Sequence, residues 1–458
     1  RSLKYLPKVV TGCLWEFADG ACDKTNYPYY RPVQTLSIML TYQISSRPWS
    51  FHLVNLLYFF AASSLVYLVT RLLTKKLLLA FLTAILFIIH PINSGVVNWP
   101  SALSELTLVM CASLVLIFHI KYRETGSSRN LWLVYLLYSI AILSKEPAIL
   151  LPIVLVSIDI FFFKISIKRL LYVDELKKYL FFAVPLLAYL FMKTAVVGSS
   201  LGGNLASFTF IESIHARFTL FAQYLGKLFY PHPLSIFHPF EKSSDFLSFN
   251  FFISFLVAVL FVVFLFVFIK TRKSILAFAF LWFAVFLSAV LIFLTGEPDH
   301  MLFERFVFVP SIGFSLIVAQ GFSYALNHSP ITKYIGVATL IFITIASWLI
   351  VFPRNSDWKN EEVMYAATLR HYPDAHEIRR NLGELYLRKG EYEKAKTEWE
   401  EIIRRDKSWK DITMAYKGLG DYYRVQGDTE TALQYYLQAA ETGFSPRDYV
   451  TYNDVGVI

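Results

Sequence analysis

Long apolar runs alternate with short polar breaks from about residue 51 to residue 352. The clearest run is Phe246–Ile269, 24 residues without a single charge. About 20 apolar residues, rising ~1.5 Å each, span a bilayer's hydrocarbon core. The pattern predicts ten spanning helices, at about 51–72, 77–91, 102–120, 131–144, 146–163, 179–197, 248–269, 274–294, 305–326 and 331–352. The fourth is the weakest of these and is open to a tilted or partly re-entrant reading. A further apolar stretch, His215–Leu234, is interrupted by Gln223, Gly226, Lys227 and Pro231. It reads as an amphipathic helix lying along a membrane surface. A crossing there would move the tail to the other side.

Beyond residue 352 the apolar runs stop and small and aromatic residues recur. Gly383, Gly390 and Ala395 return as Gly420, Gly427 and Ala432, each shifted by 37. Tyr386 and Trp399 return as Tyr423 and Tyr436. This is the tetratricopeptide pattern, in which small residues let paired helices approach and aromatics fill the layer between them. The usual period is about 34 residues, so the extra residues fall around Trp409–Asp411. Tyr452 and Gly456 open a third unit. Stacked repeats present a concave groove suited to peptides, and Tyr386, Trp399, Tyr423 and Tyr436 are the candidate acceptor-binding residues. Plain helical hairpins without a ligand are the alternative.

The expected fold is therefore all-α. A polytopic membrane bundle of about ten helices over 51–352 is followed by a tetratricopeptide-repeat α-solenoid over 353–458. Residues 1–50 form an extracytoplasmic loop. The chain begins at Arg1 and stops inside a repeat unit, so the sequence reads as truncated at both ends.

Composition agrees with this division. The chain is 56% hydrophobic and only 17% charged, against about 25% charged in soluble domains. Residues 353–458 carry a net −3, so the +12 of residues 1–352 belongs to the membrane part. That excess suits anionic lipid and not nucleic acid. Orientation follows from the Lys/Arg count of the short loops. The loops at 71–76, 121–130, 164–178, 270–273 and 327–333 hold 15 Lys/Arg, and the opposite set holds 5. The first set is cytoplasmic by this rule. Ten crossings then put residues 1–50 and the repeats together on the outer side. Cys13 and Cys22 can pair if their loop is extracytoplasmic; otherwise they are free thiols. No metal-ligand spacing occurs.

Polar groups at the membrane edge are functional candidates by default. They gather on the outer side: Arg31, His52 and Asn55, His90, Glu105, Lys145 and Glu146, His232, His238 and Glu241, and Glu297, Asp299, His300, Glu304 and Arg305. A single His at a helix end is usually a satisfied interfacial residue, and Lys145–Glu146 alone could be a local ion pair. The clustering is what points to a site. An outer-face enzyme has no nucleotide sugar at hand and needs a donor delivered through the membrane. A polyprenyl-phosphate sugar meets that need, with Arg and Lys clamping the leaving phosphate and a carboxylate as general base.

These residues also carry a resemblance. Tyr30-Arg31-Pro32, Phe51-His52-Leu53-Val54-Asn55, Phe87 with His90-Pro91, Ser144-Lys145-Glu146, Glu304-Arg305 with Pro310-Ser311-Ile312-Gly313, and Trp358-Lys359-Asn360-Glu361 occur in that order. The set resembles the transmembrane and tetratricopeptide-repeat O-mannosyltransferases. The resemblance implies a GT-C-like bundle that moves mannose from a polyprenyl-phosphate carrier to protein Ser or Thr on the extracytoplasmic face. It implies donor phosphate and sugar binding by Arg31, His52, Asn55, His90, Glu105, Lys145, Glu146, Glu304 and Arg305, with no metal expected. The family's acidic pair lies upstream of the Tyr-Arg-Pro motif, so the catalytic base is unassigned. Asp19 and Asp23 are the nearest acids, but neither forms a pair. Gly95 stands near where the family often has Glu after His-Pro. The short tail looks more prokaryotic, hence a plasma membrane, or the endoplasmic reticulum membrane in a eukaryote. The partners implied are membrane lipid, the polyprenyl-phosphate sugar and an acceptor protein or peptide. Two other classes remain: a membrane scaffold that recruits partners through its repeats, and an O-antigen-type ligase that transfers a whole lipid-linked glycan.

Overall fold

The computed structural model describes residues 6–14, 29–198, 208–240, 243–292, 301–405 and 409–442. All secondary structure among them is helical. The chain divides into two compact units. One holds residues 1–232 and 240–352, and the other holds 233–239 and 353–458.

In the first unit, α1 (Pro32–Ile44) precedes α2 (Pro48–Thr74), α3 (Leu77–Ile89), α4 (Leu103–Thr125), α5 (Ser128–Ser144) and α6 (Leu151–Phe161). Then come α7 (Val173–Leu180), α8 (Ala183–Val197), α9 (Phe210–Phe229), α10 (Phe249–Lys270), α11 (Ser274–Ile292), α12 (Pro310–His328) and α13 (Pro330–Asp357). Prolines at the first positions of α1, α2, α12 and α13 start helices where no amide donor is needed. Gly126, at φ 69°, ends α4 in the left-handed region that favours glycine.

Every apolar segment expected from the sequence is helical, but not every one is long enough to cross a membrane by itself. Among the described residues six helices qualify by length and apolarity, and the bent pair Leu77–Ile89 and Pro91–Asn98 brings the number to seven if it is one broken span. The expectation of ten spanning helices, several of them short, is corrected to that extent. Helix α5 has 17 residues and α6 has 11. Helix α12 is diluted by Ser311, Ser315, Gln320, Ser323 and Asn327. Burial explains their tolerance, since short or polar helices need not meet lipid when they pack inside a bundle. In α4 78% of the most apolar window is buried, against 11% in α10 and α13. Helix α4 is thus the bundle's axis, and α10 and α13 are its periphery.

Polar contacts mark two ends of the bundle. At one, Asn55, His90, Glu105, Lys145, Glu146 and Arg305 lie near the starts or ends of α2 to α6 and α12. At the other, Lys75 pairs with Glu124 at 3.1 Å, and Arg123 and Lys178 both hold Glu175. Successive helices run between these ends, α7 and α8 forming one pass. Helix α12 approaches α11 closely: a Cβ on Gly313 would lie 2.5 Å from the Ala279 carbonyl oxygen.

Helix α9 is the amphipathic stretch expected from the sequence, displaced to Phe210–Phe229. A reciprocal Thr209–Glu212 capping box starts it. Ala216, Leu220, Tyr224 and Leu228 recur every fourth residue as its buried face. It is not among the helices apolar enough to span.

In the second unit, α14 (Glu361–His371), α15 (His376–Lys389), α16 (Tyr392–Arg405), α17 (Trp409–Val425) and α18 (Thr429–Thr442) stack as antiparallel hairpins. The small residues act as the repeat pattern requires. A Cβ on Gly383 would lie 2.7 Å from the Trp399 ring, and one on Gly420 would lie 2.5 Å from the Tyr436 ring. Segment 233–239 also belongs to this unit. Phe237 is buried with Ala375 and Ile378, and Ser235 Oγ donates to Thr368 Oγ1 at 3.2 Å.

Candidate functional site

The site is built where α1, α4, α5 and the turns before α6 and α12 meet. Arg31, just ahead of α1, donates from Nη2 to Glu146 Oε2 at 2.8 Å and from Nε to Oε1 at 3.4 Å. Its guanidinium also lies 4.5 Å from the Tyr29 ring. Lys145 turns the opposite way and pairs with Glu105 in the first turn of α4. Adjacent residues in one turn thus engage opposite charges on two different elements. Gln34 Nε2 donates to the Ser101 carbonyl at 2.7 Å and ties α1 to the start of α4.

Arg305 makes a different set of contacts. Its guanidinium lies 4.7 Å from the rings of Trp99 and Phe303 and 5.4 Å from Phe306. No carboxylate pairs with it among the described residues. Lys145 Nζ is 5.6 Å from the same Phe306 ring. Asn55 fixes the Trp99 segment, its Nδ2 donating to the carbonyls of Val97 at 3.2 Å and Trp99 at 3.0 Å.

The electrostatics follow from this packing. Burial would raise the Glu146 carboxyl, but the Arg31 guanidinium outweighs it and holds the group down at about 2. Burial pushes Lys145 and Arg305 below their ordinary values, and the Glu105 carboxylate opposes this in both. Lys193 of α8 is buried and lies within electrostatic reach of Glu146. Among the described residues, Arg31, Lys145, Lys193 and Arg305 gather around Glu105 and Glu146. Glu304 lies nearby, its carboxylate 3.5 Å from where a Cβ on Gly95 would sit, and Lys227 feels its charge. Even with that pair included, the cations outnumber the carboxylates by two among the described residues. Such a surplus, partly shielded from water, suits a bound anion.

The structure brings Arg31, Glu105, Lys145, Glu146 and Arg305 together. Asn55 is a positioning residue behind them. His90 departs from expectation. Its Nε2 donates to the Leu228 carbonyl at 2.9 Å and its Nδ1 accepts from the Ile92 amide at 3.3 Å, so both nitrogens are engaged in local structure. His52 is half-buried and makes no ion pair or hydrogen bond among the described residues. Asp19, Asp23, Glu241, Glu297, Asp299 and His300 lie outside the described residues. Sequence reasoning missed Lys193, Trp99, Phe303 and Phe306. A lysine inside an otherwise apolar helix was the available signal for the first.

In the repeats, Trp399 and Tyr436 are wholly buried, which makes them interior packing residues and corrects their assignment to an acceptor surface. Tyr386 is also buried, its hydroxyl 3.4 Å from Glu362 Oε1. Tyr423 is half-buried and stacks on Tyr435 with ring centroids 5.4 Å apart. Cys13 is disulfide-bonded and Cys111 is free. Cys22, the expected partner of Cys13, lies outside the described residues.

Comparison with known proteins bears on both units. A tetratricopeptide repeat family model matches residues 364–406 and 385–447. The chain is similar to the protein O-mannosyl-transferase F38B6.6 of Caenorhabditis elegans, with 24% identity over 405 residues, covering 84% of this chain and 55% of that protein. It is similar to the protein O-mannosyl-transferase Tmtc2 of Drosophila melanogaster, 33% identical over 101 residues, 22% of this chain and 11% of the relative. It is also similar to the protein O-mannosyl-transferase TMTC2 of Homo sapiens, 27% identical over 179 residues, 38% of this chain and 21% of the relative. These relatives match the resemblance carried by the ordered motifs. The chain spans from about a tenth to just over half of their lengths. No solved structure matches it.

Proposed function

We propose that the protein is a membrane glycosyltransferase that moves mannose from a polyprenyl-phosphate carrier to Ser or Thr hydroxyls of proteins. The observation that carries this reading is the cationic surplus among the described residues at one end of a bundle of membrane-length helices, with Arg305 held by aromatic rings and in no ion pair with a described carboxylate. The lipid tail lies along the helices, and the phosphate meets Arg31, Lys145, Lys193 and Arg305.

The acceptor oxygen attacks C1 of mannose, and the bond from C1 to the phosphate oxygen breaks. The phosphate leaves with the electron pair, and the cations stabilise the charge that develops on it. The hydroxyl proton passes to a general base. Glu105 and Glu146 are committed to Lys145 and Arg31, which suits them to placing the cations. The base is expected from an acidic pair ahead of Tyr30-Arg31-Pro32.

The face assigned to the site is extracytoplasmic. The loop charge count favours it. The Cys13 disulfide favours an oxidising compartment. Segment 233–239 packs within the repeat unit. The named relatives are animal proteins, which favours the endoplasmic reticulum membrane over a prokaryotic plasma membrane. The repeats bind the acceptor polypeptide in this reading.

The test supplies labelled polyprenyl-phosphate mannose to the full protein in membranes. Label on protein Ser or Thr is the expected result. Absence of label, with a control transferase active on the same donor, overturns the proposal.

A further inference from the structure

We propose that the basic elbow at residues 164–180 binds the anionic headgroup surface of a lipid bilayer, at the end of the bundle opposite the cationic site. The claim does not depend on the catalytic reading.

The elbow is a helical turn, Ile167–Leu170, leading into α7. Helices α7 and α8 continue as one 25-residue span, Val173–Val197. At ~1.5 Å per residue that is about 37 Å, longer than a hydrocarbon core of ~30 Å. Its first turns therefore reach headgroup depth.

Two kinds of side chain interleave there. Ile167, Leu171, Tyr172 and Val173 are large, apolar and 59–65% exposed. Lys164, Lys168, Arg169 and Lys177 are exposed between and around them. Asp174 is the exposed acid of the segment.

The elbow is held firmly from behind. Glu175 is the buried residue of α7. It accepts from Arg123 at 2.8 Å and from Lys178 at 2.7 Å. Arg123 also holds the fully buried Asp159, which His119 contacts at 2.8 Å. A rigid support thus presents apolar side chains outward among cations. Water is a poor partner for that face. A second copy of the same face would set cation against cation. A bilayer interface satisfies both kinds of group, with the apolar side chains at the acyl boundary and the ammonium and guanidinium groups at the phosphates. Tyr172 suits that depth, and its ring lies 5.4 Å from the Arg169 guanidinium.

The experiment uses the full chain in vesicles of phosphatidylcholine, alone or mixed with phosphatidylserine. A fluorophore is placed at Tyr172→Cys in a Cys111→Ser background, and the Cys111→Ser parent gives the background label. Brominated acyl chains should quench the probe in both vesicle types. Phosphatidylserine retained by the protein should fall about five-fold for each basic residue neutralised in Lys168→Ala and Arg169→Ala. A probe left unquenched in both vesicle types overturns the proposal, as does equal phosphatidylserine retention by parent and variants. Crosslinking through position 172 between two chains would assign the face to a second copy instead and equally overturn it.

Discussion

The Nδ1 of His238 lies 2.8 Å from the Tyr372 hydroxyl, across 134 residues of chain. The two rings also meet edge to face, with centroids 5.4 Å apart. Around them Phe237 is buried against Ala375 and Ile378, with Tyr365 and Leu369 at the margin. Repeat arrays expose an apolar face at each end unless something caps it. Segment 233–239, which reaches the repeats from the loop between α9 and α10, covers that face at α14 and α15.

This contact has a measurable consequence. Phe237→Ala should cost about 3–5 kcal/mol of local stability, as large-to-small changes in packed interiors do. Hydrogen exchange in the intact protein should accelerate across 361–389 and much less across 409–442. Unchanged exchange in α14 and α15 would contradict the capping role.

A second expectation concerns the seam between α11 and α12. A Cβ at Gly313 would meet backbone on two sides, the Ala279 oxygen at 2.5 Å and the Phe283 nitrogen at 3.2 Å. Backbone cannot swing aside as a side chain can. Gly313→Ala should destabilise the bundle by about 1–3 kcal/mol. Gly321→Ala, eight residues along the same helix with nothing within 4 Å, should be close to neutral. Thermal unfolding in detergent separates the two, and equal midpoints would contradict the close approach.

The Arg31–Glu146 pair should make stability depend on pH in a definite direction. Arg31 holds the Glu146 carboxyl at about 2, below its ordinary 4.5. A depressed carboxyl stabilises the folded state fully above its unfolded value and loses that contribution as pH falls through the folded one. The native protein should keep this contribution down to about pH 4.5 and lose it progressively towards pH 2. In Arg31→Gln most of the contribution should be lost already near neutral pH, because burial, the largest influence, raises the carboxyl and Lys193 opposes it less than Arg31 does. Parallel pH–stability curves for the two proteins would show that the pair is not coupled as described.

The sequence was most legible where one residue pattern admits one environment. The uncharged run Phe246–Ile269 leaves little choice but a membrane-length helix, and the 37-residue spacing of Gly383 and Gly420 reports helix pairs pressed onto Trp399 and Tyr436. The same logic misled the functional reading of those two aromatics, since a ring that fills the gap beside a glycine is not offered to a ligand. Helix α6 was harder, because 11 residues cannot span alone and only burial in the bundle makes the segment viable. Within the site, adjacency left a local Lys145–Glu146 ion pair open as an alternative, but folding sends each to a different partner. The ring cage around Arg305 joins Trp99 to Phe303 and Phe306 from separate segments, and no local spacing encodes that. His90 looked like a ligand because the sequence could not show the Leu228 carbonyl that occupies it.

The central claim is that the cations at the ends of α1, α5, α8 and before α12 receive a lipid phosphate. It is tested most directly by binding of polyprenyl phosphate and of uncharged polyprenol of the same length to the full protein and to Arg305→Gln. The account expects the phosphate lipid to bind more tightly, and Arg305→Gln to weaken it about 10-fold or more, as loss of a charged hydrogen bond does, with polyprenol binding unchanged. Equal affinity for the two lipids, or an Arg305→Gln protein that binds the phosphate lipid as well as the parent, would contradict it.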